Sequence, residues 1–587
     1  MSDPITLSVV RSSLEQICDE MDLHLIHSAL SPIISETNDC AHGIYDAQSG
    51  ETIAQGRLGL PVFLANMQYA VQATIERAAA LGGFKPGDIW ILNDPYLGGT
   101  HLNDVNLVVP VFLDQELFAL IASTGHWMDI GGGSPGGWNA EAQEIHEEGL
   151  LIPPVRLYEN SVRNEALIET VMANVRLPRE MLGDLSAMTS AVQRGEEQLA
   201  RVVARHGREI VAECLHALIE RSEAQMRGHI EEIPDGCYRF TDSLDNDGIS
   251  PEPLRLEVRV TVDGGEMEVD FSGTSKTSRG PLNLARNSTI SMCHVAIKHI
   301  FPEIPINGGT FRPVRVNVPD GTLLAASYPA PVGGYTEVVG RVLDVMFGAL
   351  AQAMPGRVPA APFGTLGVIT IAGEHPELGG YYVGVFPYPG GYGGTAEGDG
   401  LVHGNAPQSM ANFVSLEASE HRYPIRFEHF ELREDSGGAG AHRGGDGSRY
   451  SIRVQAPCVV SVLGDRVDTS PFGLEGGGPG GPNEILFSSA SGETWTPPLR
   501  SKLAKRRLEP GDGISASSPG GGGHGDPLER AAEALERDLN LGYITRATAE
   551  QVFLAAVEEI GVTAGRIRYR VDPELTEQRR QRRSRRL

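Results

Sequence analysis

The sequence predicts an α+β protein of several domains, in which Gly-rich β-sheet regions alternate with packed helical segments. Three observations predict it. The 587 residues exceed what a single hydrophobic core normally organises. Short apolar runs of period two alternate with long segments of period three to four. The 71 glycines and 38 prolines imply many ordered turns, yet fall short of a low-complexity composition.

In chain order, Leu7 to Leu30 carries apolar residues at helical spacing, and the helix should stop near Ser31-Pro32. "CAHGIYDAQSGETIAQG" then reads as two short strands around a polar turn. From Asp88 to about Pro153 short strands and Gly-rich loops alternate. Residues 1–165 form an N-terminal α/β region, and residues 166–233 a helical region of two or more packed helices, dense in charge pairs. Residues 234–518 read as a β-rich α+β region. It opens on the hairpin "LRLEVRVTVDGGEMEVDFSG", turning at Asp-Gly-Gly, and holds the helices "STISMCHVAIKHIF" and "VVGRVLDVMFGALAQAM". Residues 519–578 supply a Gly loop and two further helices, "LERAAEALERDLN" and "TRATAEQVFLAAVEEIG". The basic tail 579–587, with six arginines, reads as a disordered arm, either solvated or reaching an acidic surface.

Composition excludes several functions. A net charge of −27 gives the body no basic face for nucleic acid. No window approaches the apolar length of a membrane span, and "MSDPITLSVV" lacks the order of a signal peptide, so the expectation is a cytoplasmic protein. Six scattered cysteines without a CxxC pair predict reduced, mostly buried thiols.

The chemistry concentrates in "NDPYLGGTHLNDVNLVVPVFL", Asn93 to Leu113. Its apolar half and "ELFALIAST" are separated by Asp114-Gln115, a length suited to a tight hairpin. A turn centred there makes opposing residues sum to about 229, which sets His126 opposite Asn103, between His101 and Asp104. His101 and Asp104 would diverge on a regular strand, but a turn just before one lets both aim at a single point. Two imidazoles and a carboxylate form the donor set of a catalytic divalent site, for which zinc, manganese and iron all qualify. The other reading is a turn whose Thr100 and Asp104 satisfy backbone groups, on a strand that Pro110 marks as edge or bulged.

Five strings, "NDPYLGGTHLNDVNLVVPVF", "GHWMDIGGGSPGG", "EEGLLIPPVRLYENS", "PINGGTFRPVRVNVPDGTLLAASYPAPVGG" and "SSPGGGGHGDPLER", resemble the hydantoinase B family. That family takes in N-methylhydantoinase B subunits, the C-terminal half of 5-oxoprolinase, small caprolactamase subunits and acetone and acetophenone carboxylase subunits. The likeness runs in order from about Asp3 to Arg546. It implies a metal held by Asp39, His101, Asp104 and His126, with Asp129 as a partner that orients a ligand imidazole or as a turn residue; Asp104 or Asp129 would accept a proton from water.

The resemblance also implies an ATP-hydrolysing, hydantoinase A-type partner subunit, in a hetero-oligomer. Consistent with this, the chain has no GxxxxGK[ST] loop of its own. The implied activity is a metal-dependent, ATP-driven hydrolysis of a hydantoin, oxoproline or lactam. The alternatives are a subunit of an ATP-dependent ketone carboxylase and a non-catalytic scaffold of the same complex. The loop "PGGGGHGDPLER" is read either as a turn or as amides facing an anion or a phosphorylated intermediate. The chain departs from the family pattern at His27-Ser28-Ala29, where an arginine is common, and at "SETNDCA"; the second loop borders the implied site, which puts the substrate in question.

Overall fold

The computed structural model describes residues 3–63, 65–563 and 565–584. Helix Pro4–Ser28 begins on Asp3, whose carboxylate accepts from the Ile5 and Thr6 amides, and ends just before Ser31-Pro32. It buries Leu7, Val10, Leu14, Ile17, Met21 and Leu25 against the first sheet and against helix Pro178–His206.

That first sheet has seven strands, all antiparallel, and carries the two strands Cys40–Asp46 and Thr52–Gln55 at one edge. Its centre is the hairpin Asp104–Leu113 and Glu116–His126. Asp114 and Gln115 both have positive φ, 51° and 68°, as a primed two-residue turn requires. Pro110 does not mark an edge strand. Its strand lies between two neighbours, and Pro110 sits beyond Asn106–Val108, the part that pairs with Ile89–Leu92.

The helical region contains Glu165–Ala173, Pro178–His206 and Arg208–Glu231. Beyond it, the predicted hairpin is strand Leu254–Asp263 turning through Gly264-Gly265 into Glu266–Asp270. Helix Tyr335–Leu350 has all sixteen residues buried, including Glu337, Arg341 and Asp344. Its polar side meets a buried ion network. Arg341 contacts Asp465 at 2.6 Å and Asp344 at 3.0 Å; Arg466 contacts Asp344 at 2.5 Å and Asp242 at 2.8 Å; Lys502 contacts Asp465 at 2.8 Å. Three cations therefore meet three carboxylates, pinning this helix to strand Gly236–Leu244 and to the loop after Cys458–Leu463.

Two further sheets, one of four strands and one of five, face each other over Ile369, Phe386, Tyr388, Ile452, Phe487 and Ile514. At one end of them, four glycine-rich segments (390–394, 436–447, 472–481 and 519–525) lie backbone against backbone. Gly438 donates to Gly521, Gly394 to Gly522, Gly478 to Ala439 and Gly521 to Gly445. A Cβ on Gly521 would stand 2.0 Å from the Tyr392 carbonyl oxygen, so no side chain fits. The loop at 519–525 does not face an anion: the amides of Gly521, Gly522, Gly523 and His524 all donate to backbone carbonyls, and the next α-helix begins only at Ala532.

The C-terminal region differs from expectation in two places. The segment predicted as its second helix is helical only over Arg546–Gln551; Leu554 takes a positive φ of 55°, and Ala556–Thr563 pairs with Arg566–Asp572 as a hairpin. Val557, Ile560 and Val562 are the β-branched residues that favour the strand. The basic tail is helical through Ser584, in helix Pro573–Ser584, with Arg579 donating to the Ala555 carbonyl and Arg580 to that of Phe553. Residues 585–587 lie outside the described residues. Five of the six cysteines are buried and all are free. Among the described residues, no helix is long and apolar enough to cross a membrane.

Candidate functional site

The central hairpin sets the site. Near its turn the pairs sum to 229, as Leu113–Glu116 and Phe112–Leu117; past a bulge at Phe118 they sum to 230, so His126 stands opposite Asp104 rather than Asn103. One extra residue brings the imidazole directly beside the carboxylate. Asp104 begins its strand, and the turn before it folds His101 back over it, with the Asp104 amide donating to the His101 carbonyl.

The three side chains are buried and close. His101 Nδ1 lies 3.1 Å from Asp104 Oδ2, and His126 Nδ1 lies 3.3 Å from Asp104 Oδ1. Thr100 donates its hydroxyl to Asp104 Oδ2. The imidazole centroids are 5.0 Å apart. One donor atom from each of the three residues falls within 4.8 Å of the others. His101 Nε2, His126 Nε2 and Asp104 Oδ1 are buried without a hydrogen-bond partner, a condition that costs free energy unless a ligand meets them. Burial pushes the Asp104 carboxyl up, but His101 and His126 outweigh it and hold it well below the ordinary range. The donor types and the unpartnered atoms fit a divalent cation.

Asp39 follows the short helix Pro32–Ser35, and its carbonyl accepts the His126 amide. It lies outside the three-residue cluster but lines the same cavity. Burial pushes its carboxyl up to about 7, opposed by His126 and reinforced by Asp104. The cavity, of about 40 Å³, is also lined by His126, Trp138 and Tyr335. The Tyr335 ring lies 4.5 Å from that of His101, and Trp138 stacks 6.2 Å from His126. Sequence reasoning missed both aromatics. The string ending "PAPVGG" stops one residue short of Tyr335, and Trp138 directly follows "GGGSPGG".

Asp129 departs from the imidazole-orienting role. It accepts from the amides of Gly131, Gly136 and Arg176, and from the Arg176 guanidinium at 3.0 Å. Both its oxygens are spent on bracing the loop from Gly131 to Gly137, which leaves none to receive a proton from water at the cluster. Glu148 braces the neighbouring wall, accepting from the Val332 and Gly333 amides just before Tyr335; burial pushes its carboxyl up to about 8 against those two donors.

Comparison with known proteins gives the family. The sequence profile of the Hydantoinase B/oxoprolinase family matches residues 3–527. The chain belongs to that family. This family member is 30% identical to the caprolactamase subunit beta of Pseudomonas jessenii, over 92% of this chain and 94% of that one. The crystal structure of the ATP-dependent caprolactamase from the same organism superposes with a TM-score of 0.87 at 28% identity, covering 99% of this chain and 100% of that one. Nucleotide-free acetone carboxylase shares the fold, with a TM-score of 0.91 at 20% identity, covering 100% of this chain and 83% of that one.

Proposed function

We propose that this chain is the hydrolytic subunit of an ATP-dependent cyclic-amide hydrolase, working on an amide activated by an ATP-using, hydantoinase A-type partner. The observation that carries the reading is the buried cluster of His101, Asp104 and His126, each with a donor atom that lacks a partner, of which His126 lies at the wall of a cavity. Its relatives' names supply the reaction class, since the cluster alone would serve other chemistry.

An unstrained amide resists water because resonance occupies its carbonyl. Phosphorylation of the amide oxygen in the partner subunit removes that resonance; water then adds at carbon, the C–N bond breaks with a proton passing to nitrogen, and the ring opens to an acyl phosphate, from which a second water releases phosphate to leave the amino acid. His101, Asp104 and His126 would hold a divalent cation, with Asp39 as the fourth donor from the cavity wall. When bound, the cation would act as a Lewis acid and lower the pKa of water. The chain's own residues do the rest. Thr100 and the two imidazoles fix the Asp104 carboxylate. Tyr335 and Trp138 wall the cluster with aromatic surface and limit the water that enters. A ketone carboxylase would place its substrate against the same donors; dependence of turnover on bicarbonate separates the two.

The test is metal content by mass spectrometry on the purified protein, beside an Asp39→Ala/His101→Ala double variant. Near-stoichiometric zinc, manganese or iron should be present and then lost. His101→Ala and Asp104→Asn should each abolish ATP-dependent turnover with the partner while leaving the complex assembled. Near-normal turnover by either variant would overturn the reading.

A further inference from the structure

Lys298 is held differently from the buried cations described above. Lys502 meets Asp465 at 2.8 Å, Arg466 meets Asp344 at 2.5 Å and Arg530 meets Asp399 at 2.7 Å. Lys298, in the last turn of helix Arg286–Ile300, is partly buried and, among the described residues, has no carboxylate at salt-bridge distance. Its ammonium donates to the carbonyls of Phe301 at 3.3 Å and Pro302 at 3.1 Å, and to that of Ile304. Three carbonyls satisfy its N–H groups and leave its charge without a counter-ion. Burial accordingly pulls its pKa down to about 8, against Glu303, which Arg357 engages at 3.1 Å.

Beside Lys298 lies a hollow of about 320 Å³, within the range of small-molecule sites. Gln55 and Arg57 line it with Lys298, and Leu60, Val295 and Ile306 give it apolar surface. Among the described residues, no carboxylate lines it. Arg57 is tied to Asp19 at 3.1 Å, and His299, also at the wall, donates its Nδ1 proton to the Val295 carbonyl. Gln55 is the unfinished group. It is 5% exposed, its Oε1 is buried without a partner, and among the described residues its side chain makes no hydrogen bond. Leu60 also lines the cavity beside His126, and Met410, at the wall of the hollow, stands between Ser409 and Ala411, which line that cavity too. The two spaces share a partition.

We propose that this hollow is a binding site for short aliphatic carboxylates, set against the back of the His126 cavity. The Gln55 side-chain amide donates to the carboxylate, a charge-assisted bond, while the neighbouring Lys298 charge supplies the counter-ion field and Leu60, Val295 and Ile306 take the aliphatic body. An occupant bears on Leu60 and Met410, and so acts on the cavity through its partition without touching the His101 cluster. The site stands whether or not a cation fills that cluster.

The test uses the full chain as purified and two probes of matched shape, pentanoate and pentanamide, titrated by saturation-transfer NMR. Pentanoate should bind at least about tenfold more tightly than the amide, because only the anion meets the Lys298 charge. Gln55→Leu replaces a partnerless amide with an apolar side chain of similar size; it should keep the fold and weaken pentanoate about tenfold, the value of one hydrogen bond to a charged group. Lys298→Met should abolish the preference for the anion, and where that variant fails to fold Gln55→Leu decides alone. His101→Ala should bind pentanoate as the parent does. The proposal is overturned if the parent chain fails to bind pentanoate, if it binds the amide equally well, or if Gln55→Leu leaves the affinity unchanged. Loss of binding in His101→Ala overturns it as well, since the anion would then sit at the metal cluster.

Discussion

Two buried polar clusters lie within one protein and are finished in opposite ways. Around Arg341, three cations face three carboxylates at salt-bridge distance, with Arg341 Nε, Arg466 Nε and Asp344 Oδ1 left without hydrogen-bond partners, and none of these six residues lines the cavity beside His126. Around Asp104, two imidazoles and a carboxylate converge with donor atoms left over, and one of them, His126, lines a cavity. The first cluster compensates its charges internally and serves to fix helix Tyr335–Leu350. In the proposed reading the second is completed by a bound cation. Neither burial of charge nor an unpartnered atom is thus an indicator of function by itself; what separates the two clusters is charge balance and the adjoining space.

The largest test of that contrast is Arg341→Ala, which leaves Asp344 and Asp465 short of a partner in the interior. It should cost about 3–5 kcal/mol in denaturant unfolding, and a loss below about 1 kcal/mol would show that the network is not closed as described. Next comes the open cluster. Chelated protein should gain about 2.7 kcal/mol when given divalent metal at about a hundred times its Kd, and His101→Ala should gain almost nothing. Equal gains in both proteins would place the metal elsewhere. A smaller effect is expected at the glycine segments, where Gly521→Ala should destabilise by roughly 1–3 kcal/mol because the added methyl meets the Tyr392 carbonyl.

A test of a different kind concerns Glu148, a buried carboxyl that accepts from two backbone amides and no cation. Its folded-state pKa of about 8 lies above the ordinary 4.5, so the native state keeps a proton that the unfolded chain releases. Stability therefore falls as pH rises through that window and stays lower above it. Melting curves should show that fall, and Glu148→Gln should flatten it.

Much of this was legible in the sequence, for stated reasons. The central hairpin followed from a two-residue gap between strand-like runs, and His101 with Asp104 from their position just before a strand. The bulge at Phe118 was not legible, because an inserted residue leaves the apolar pattern almost unchanged while shifting every later pair by one. Asp129 was read either as an imidazole partner or as a turn residue, and its nearness to His126 in sequence could not choose, because it says nothing of Arg176, which arrives from forty-seven positions away and takes its carboxylate. Tyr335 and Trp138 were invisible as wall residues, since an aromatic beside a glycine turn has the same local pattern whether it faces a core or a cavity. The C-terminal hairpin was read as helix because alanine and glutamate dominate the window; the strand depends on pairing with Arg566–Asp572, a contact that no local window contains.

The four glycine segments have one more consequence. By their outline they are loops, and loops ordinarily exchange their amide hydrogens quickly. Here the amides of Gly391, Gly394, Gly438, Gly478 and Gly521 to Gly523 each donate to a carbonyl of a distant segment. The stretch with the fewest side chains should therefore hold deuterium out as long as the sheet cores do, and open only when the two sheets beside it come apart.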